Sequence, residues 1–155
     1  MIYSEQPTIL IVDDNPTNLK VLCAAIANFG WEILVATEGE SAIEQAKYTK
    51  PDLILLDVMM PGIDGFETCC QLKQSPITHE IPIIFMTALC DTVDKVKGLS
   101  LGAVDYITKP FQTDEVLARV NVHLKMHFLN KQLEAQKNIL EKRVEERTKK
   151  LEVAL

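Results

Sequence analysis

Five residues before position 110 are of types that carry out metal-assisted phosphate chemistry. They are Asp13, Asp14, Asp57, Thr87 and Lys109. Three carboxylates cannot all stay ionised in one small cleft unless a cation neutralises them. Oxygen ligands without histidine or cysteine suit Mg²⁺, and a carboxylate beside that ion can accept a phosphoryl group as an aspartyl phosphate. A lysine ammonium and a threonine hydroxyl can hold the phosphoryl oxygens. If the fold brings the five together, they predict a phosphoacceptor site.

Five short apolar runs, each of strand length, stand just before these residues or between them. Helical patterns separate the runs, and Asn15-Pro16 has the form of a helix N-cap followed by proline at the first helical position. The predicted strands are Thr8–Val12, Glu32–Ala36, Asp52–Leu56, Ile83–Met86 and Val104–Ile107. This alternation predicts an α/β fold of the (βα)₅ kind, a doubly wound parallel sheet with helices on both faces.

The candidate residues stand where ligands bind in such a sheet, which is beyond the carboxyl ends of the strands. Asp13 and Asp14 follow the first predicted strand, Asp57 the third and Thr87 the fourth, and Lys109 comes just after the fifth. Each alone has an ordinary structural explanation, such as a capping turn or a strand terminus. Their joint placement at four strand ends favours a shared functional site.

Composition excludes several classes of protein and partner. The chain has 155 residues and a net charge of −6, and its basic residues cluster only in the last quarter, so we expect no direct nucleic-acid partner. We find no apolar run near the roughly 20 residues that span a bilayer and no signal peptide, which predicts a cytoplasmic location and no membrane partner. The cysteines have no zinc-ligand spacing and are interpreted as buried or idle thiols: Cys23, Cys69, Cys70 and Cys90.

The motifs around the candidate residues resemble those of the receiver domain of two-component response regulators. They are Ile-Val-Asp13-Asp14-Asn, Leu-Leu-Asp57-Val-Met-Met-Pro61-Gly62-Ile-Asp-Gly65, Met-Thr87-Ala88 and Asp-Tyr106-Ile-Thr-Lys109-Pro110-Phe111. The resemblance covers roughly residues 7–125. It implies a flavodoxin-like sheet with the strand order 2-1-3-4-5.

The same resemblance implies a role for each residue. Asp57 would accept a phosphoryl group from a phosphohistidine of a partner kinase or phosphotransfer protein. Asp14 would bind Mg²⁺ directly and Asp13 largely through water, with Asp57 and the backbone carbonyl of Met59 completing the protein ligands. Lys109 would pair with the phosphoryl group.

Four residues would govern the response to phosphorylation and the lifetime of the phosphoryl group. Thr87 would move towards the phosphoryl group and Tyr106 would rotate inward behind it, which is the switch of the family. Met59 and Leu89 would flank the path of the attacking water. Both are apolar here, which predicts a fairly long-lived phosphoryl group.

This interpretation describes a phosphoacceptor that promotes its own phosphorylation and dephosphorylation, not an enzyme with a separate substrate. A flavin-binding flavodoxin-like domain is conceivable by fold, but no phosphate-cradling Ser/Thr/Gly loop follows the first strand. Two further alternatives belong to other classes. The first is a constitutive dimerisation scaffold whose receiver no longer switches, against which the complete set of acidic, Thr and Lys positions argues. The second is a Mg²⁺-dependent phosphatase, but such enzymes usually carry an Asp-x-Asp nucleophile motif after the first strand, and here the candidate nucleophile follows the third.

A set of charged residues matches positions at which one large response-regulator subfamily forms ion pairs across a dimer. They are Lys95, Asp105, Glu115 and Arg119. A third pair of that set is lost, because Ser100 and Asn121 stand at its positions. Ordinary surface charge explains the same residues equally well.

The C-terminal quarter predicts one long helix. From Thr113 to Leu155 the chain has neither Gly nor Pro, and Leu133, Leu140, Val144 and Leu151 fit a heptad seam that Lys137 and Arg147 interrupt. We therefore expect an N-terminal extension over 1–7, a receiver over 8–125 and a coiled-coil signalling helix over 126–155. The helix is expected to pair in a parallel homodimer. It has no stop signal at its end, which predicts a longer protein with an output domain.

Overall fold

Five parallel strands form one sheet in the order β2-β1-β3-β4-β5, which confirms the predicted fold. The computed structural model describes residues 6–88 and 92–154. The strands are β1 (Thr8–Val12), β2 (Glu32–Ala36), β3 (Leu53–Asp57), β4 (Ile83–Ala88) and β5 (Asp105–Lys109). The helices are α1 (Pro16–Ile26), α2 (Gly39–Thr49), α3 (Gly65–Gln74), α4 (Thr92–Ser100) and α5 (Thr113–Ala154).

The first two strands have the predicted bounds, whereas the other three end one or two residues later than predicted, and β3 and β5 also start one residue later. Strand β3 starts at Leu53, one residue later than predicted. Asp52 precedes it and binds Thr8 twice, since its backbone N–H donates to the Thr8 carbonyl and its carboxylate accepts from the Thr8 N–H. Strand β4 extends to Ala88 because Ala88 pairs with Lys109 on β5. Asp57 is therefore the last residue of its strand and not the residue after it.

Two apolar layers cover the sheet, one on each face. Helices α2 and α3 pack on one face with residues such as Ile43, Phe66 and Leu72. Helix α1 and the first turns of α5 pack on the other through Leu22, Val116 and Val120. Buried strands read as nearly continuous apolar runs for this reason, since both of their faces lie against helices.

Capping explains where two of these helices begin. The side chain of Asn15 accepts hydrogen bonds from the backbone N–H groups of Thr17 and Asn18, with Pro16 at the first helical position, as predicted. Asp64 caps α3 in the same way through the N–H of Glu67.

The cysteines of the described chain are free thiols: Cys23, Cys69 and Cys70. Burial raises the pKa of the Cys69 thiol to about 11, so this side chain remains protonated at neutral pH. Cys90 and Leu89 lie outside the described residues. In the part of the chain that the structure describes, no helix combines the length and the apolar character needed to cross a membrane.

Helix α5 extends far beyond the sheet. It has 42 residues and is therefore about 63 Å long at 1.5 Å per residue. Val116, Val120 and Leu124 are fully buried against the sheet, but residues 131–152 are all exposed. His127 and Lys131 still reach the body, and their nitrogens lie 3.6 and 3.5 Å from Asp52 Oδ1.

Candidate functional site

The fold brings the three candidate aspartates together at one edge of the sheet. Asp13 follows β1 and Asp57 ends β3, and these strands are hydrogen-bonded neighbours. One carboxylate oxygen from each of Asp13, Asp14 and Asp57 lies within 4.8 Å of the other two. Asp13 and Asp57 are buried, whereas Asp14 is exposed at the mouth of the cleft.

Lys109 supplies the positive charge of this cleft. Its Nζ donates a hydrogen bond of 2.9 Å to Asp57 Oδ1 and lies 3.7 Å from Asp13 Oδ2. Strand β5 places the ammonium there because Lys109 is its last residue, paired with Ala88 at the end of β4. The Lys109–Pro110 peptide bond is cis.

Asp57 is the member of the group whose pKa is raised. Burial raises the pKa of its carboxyl from the usual 3.8 to about 6, and the neighbouring charge of Asp13 adds to this effect. The hydrogen bond from Lys109 and the backbone N–H of Met59 oppose the rise without cancelling it. A cation in the cleft would relieve this repulsion, so the donor set fits a hard divalent ion.

Asp13 is held by two residues that sequence reasoning did not select for the site. Its Oδ1 accepts a hydrogen bond from the backbone N–H of Asn15 (2.9 Å), and its Oδ2 accepts one from Asn18 Nδ2 (3.2 Å). Asn18 stands in the first turns of α1, whose cap at Asn15 directs that helix at the cleft. The amide spacing Asp13-x-Asn15-x-x-Asn18 was the signal that could have indicated them.

Gly65 fixes the backbone on which Asp57 stands, although the sequence indicates it only as part of a longer motif. A Cβ built on Gly65 would overlap the carbonyl oxygen of Asp57 and lie 2.8 Å from Val58 Cα. Its N–H donates to the carbonyl of Val58 at 2.9 Å. Only glycine permits this close approach of α3 to the end of β3.

Thr87 is buried near the end of β4, and its hydroxyl is available for a new partner. The Oγ1 atom has no hydrogen-bond partner among the described residues. A buried hydroxyl without a partner costs roughly 1–3 kcal/mol, a cost that a bound phosphoryl oxygen would remove.

Tyr106 lies on β5, paired with Phe85, and is half-buried against the core layer that contains Phe66 and Phe85. Two cations contact its ring: Lys95 Nζ is 4.8 Å from the ring centre and Arg119 Cζ is 5.7 Å from it. Met59, whose carbonyl is the expected metal ligand, lies in the loop after β3 with its side chain exposed.

Three of the four expected dimer-face charges, Asp105, Glu115 and Arg119, form ion pairs within the chain. Arg119 contacts Asp105 Oδ1 at 2.6 Å and Glu115 Oε1 at 3.1 Å, and His123 Nε2 lies 3.0 Å from Asp105 Oδ2. Burial alone would raise the pKa of Asp105, but the hydrogen bonds from His123, the Tyr106 N–H and Arg119 bring it below its usual value.

Comparison with known proteins identifies the family. The response regulator receiver domain matches residues 9–121. The chain belongs to this family. It is also 45% identical over 117 residues to the alkaline phosphatase synthesis transcriptional regulatory protein PhoP of Bacillus subtilis (strain 168). That match covers 76% of this chain and 48% of PhoP, so the chain spans about half the length of this relative.

Solved receiver domains have the same architecture. One is the receiver domain of a signal transduction histidine kinase from Syntrophus aciditrophicus, 37% identical with a TM-score of 0.70, which matches over 76% of this chain and 89% of its own. Another is the receiver domain of sensor histidine kinase PA1611 from Pseudomonas aeruginosa PAO1, which holds a magnesium ion in its active-site cleft. It is 28% identical with a TM-score of 0.72 over 77% of this chain and 98% of its own.

Proposed function

We propose that this receiver accepts a phosphoryl group on Asp57 from a phosphohistidine of a histidine kinase or histidine phosphotransfer protein. The observation that carries the proposal is the hydrogen bond of 2.9 Å from Lys109 to Asp57, in a cleft shared with Asp13 and Asp14. We propose further that the receiver unit spans 8–125 and acts in a cytoplasmic two-component phosphorelay.

The chemistry of transfer needs few groups from this chain. A carboxylate oxygen of Asp57 forms the new P–O bond while the P–N bond of the partner breaks and its imidazole leaves with the electron pair. Lys109 stabilises the negative charge on the transferring oxygens, and Thr87 donates the hydrogen bond that its buried hydroxyl now lacks. The nucleophile has to be ionised, so a bound cation would assist the reaction by lowering the raised pKa of Asp57.

The residues that would hold Mg²⁺ are Asp13, Asp14, Asp57 and the backbone carbonyl of Met59. The ion would supply positive charge that keeps Asp57 ionised and neutralises the phosphoryl oxygens. The receiver of PA1611 supports this choice of metal, because its structure holds magnesium in its active-site cleft.

Output is proposed to pass through α5. Thr87 and Tyr106 would respond to the phosphoryl group, and the signalling helix over 126–155 would pair in a parallel homodimer. The exposed state of residues 131–152 supports pairing, because a polar-surfaced helix of this length is stable mainly when it has a partner.

Intact-protein mass spectrometry tests the phosphoacceptor directly. The wild type, Asp57→Asn and the exposed control Asp114→Asn are incubated with Mg²⁺ and acetyl phosphate. We expect one added phosphoryl group on the wild type and on Asp114→Asn, and none on Asp57→Asn. Equal labelling of all three proteins would exclude Asp57 as the acceptor.

A further inference from the structure

Helix α5 carries an exposed apolar stripe that starts beside the receiver body, well before the free part of the helix. Its members are each more than half exposed: Val122, Met126, Leu129, Leu133, Leu140, Val144 and Leu151. Large apolar side chains exposed in a continuous row commonly mark an interaction surface.

The stripe and the buried face of α5 point in different directions. Each residue of an α-helix turns by 100°, so the stripe lies about 140° from the face formed by Val116, Val120 and Leu124. Val122 and Met126 are therefore open to a partner while the same helical turns remain packed on the sheet.

The spacing along the stripe matches the turn of the α-helix. Val122 and Leu140, Met126 and Val144, and Leu133 and Leu151 each stand 18 residues apart in the sequence. Eighteen residues are five turns of an α-helix, so the stripe runs parallel to the helix axis from the receiver to the tail.

Charges on the two sides of the stripe are of opposite sign. One side carries acidic residues, Glu134, Glu141 and Glu152, and the other carries basic residues, Arg143 and Lys150. When two copies of a helix pair in parallel, the left side of one faces the right side of the other, so acids face bases. Antiparallel pairing would place like charges opposite each other.

We infer that the partner of this surface is a second copy of the chain, and that the two α5 helices pair in parallel along one continuous stripe beginning at Val122. The receivers then lie on the outside of the helix pair, each still packed on its own α5. The inference rests on the proposed homodimer and adds where the pairing begins and which residues face each other.

This arrangement places Tyr106, one of the two expected switch residues, next to the helix pair. Glu115 and Arg119 precede Val122 on the same side of α5, at the spacing i, i+4, i+7. Arg119 contacts both Asp105 and the ring of Tyr106. A change in the position of Tyr106 would act, through Arg119, on the first turns of the paired stripe.

Disulfide formation between introduced cysteines tests the inference. Met126→Cys probes the stripe beside the receiver and Leu140→Cys probes it in the tail. Lys125→Cys, turned about 100° from Met126, is the control, and the wild type measures the background of its own cysteines. All three substituted positions are exposed, so the fold should tolerate them. Under mild oxidation, we expect at least tenfold faster cross-linking at positions 126 and 140 than at 125.

Each other outcome has a defined meaning. Cross-linking at 140 alone would overturn the start at Val122 and leave the proposed tail dimer intact. Cross-linking at 126 alone, or equal rates at 125 and 126, would overturn the continuous stripe. No cross-linking at any position would overturn the pairing itself, while the phosphoacceptor role would still be judged by the labelling of Asp57. Linking at both 126 and 140 excludes antiparallel pairing, because one antiparallel register can bring only one position next to its own copy.

Discussion

The aspartate cleft and the tail of α5 are built in opposite ways. The cleft takes its residues from the ends of several strands, and its central carboxylate, Asp57, is buried with a raised pKa. The tail takes its residues from a single helix, and every side chain over 131–152 is exposed. The cleft is thus complete within one chain, whereas the tail presents a surface that only another molecule can cover.

This difference predicts where mutations act. A change in the strands that carry the cleft should alter the stability of the monomer, because their apolar side chains are packed against helices on both faces of the sheet. A change on the tail stripe should alter association and leave the monomer almost untouched. Equivalent substitutions in the two regions test this difference.

Leucine truncation should give the largest contrast. Leu56→Ala empties a fully buried position on β3 and should lower the free energy of unfolding by roughly 2–5 kcal/mol. Leu140→Ala removes an exposed side chain and should change it by less than about 0.5 kcal/mol at concentrations where the chain is monomeric. Urea denaturation measures both. A loss at Leu140 as large as that at Leu56 would show that the tail folds against the receiver body.

The fold could be predicted from the sequence because each strand and helix has a local pattern of apolar or capping residues. The apolar runs of β1 and β2 gave the correct bounds, and Asn15-Pro16 gave the correct start of α1. The predicted start of β3 was wrong by one residue, and the local sequence gives no sign that the carboxylate of Asp52 binds the backbone of Thr8, 44 positions earlier.

Contacts between distant residues explain the remaining gaps. The pairing of Asp105 with His123, and of Asp52 with His127, joins side chains whose local sequence gives no sign of a partner. The close approach of Gly65 to Asp57 is likewise a property of the assembled sheet. Motif resemblance placed the cleft residues in one site, but it could not show that Arg119 pairs within its own chain.

Removing the carboxylate that joins β5 to α5 should have the next largest effect. Asp105→Asn weakens the pairing with Arg119 and His123 and should lower stability by about 1–2 kcal/mol at pH 7. The pKa of Asp105 is lowered on folding, so its contribution is present above the unfolded value of 3.8 and is lost as pH falls through the folded value. The difference between wild type and Asp105→Asn should therefore be constant from pH 5 to 7 and shrink below pH 4. Urea midpoints across this range measure it, and a difference that grows in acid would contradict the pairing.

Magnesium should stabilise the cleft and not the tail. At a Mg²⁺ concentration ten times its dissociation constant, a ligand of the folded state adds about 1.4 kcal/mol to the free energy of unfolding. Asp14→Ala should abolish most of this gain, whereas Leu140→Ala should respond to Mg²⁺ as the wild type does. Thermal melts with and without the ion measure the response. Full stabilisation of Asp14→Ala would remove Asp14 from the proposed ligands.

The smallest effect concerns the tail, where a polar residue interrupts the seam. Lys137 stands between Leu133 and Leu140, and a lysine at a seam position weakens helix pairing while helping to set its register. Lys137→Leu should tighten the dimer about fivefold, or roughly 1 kcal/mol, without changing the stability of the monomer. Lys142→Leu is the control, because position 142 lies on the opposite side of the helix from the stripe. It adds the same side chain and should leave the dissociation constant of the dimer unchanged. Sedimentation equilibrium of both variants and the wild type gives the dissociation constants.

If Lys142→Leu tightens association as much as Lys137→Leu does, general hydrophobicity governs the tail and the stripe has no defined partner face. If only Lys137→Leu tightens the dimer, the helix pairs through the stripe that begins at Val122. Signalling can then operate by changing the strength of a helix pair that Lys137 keeps weak.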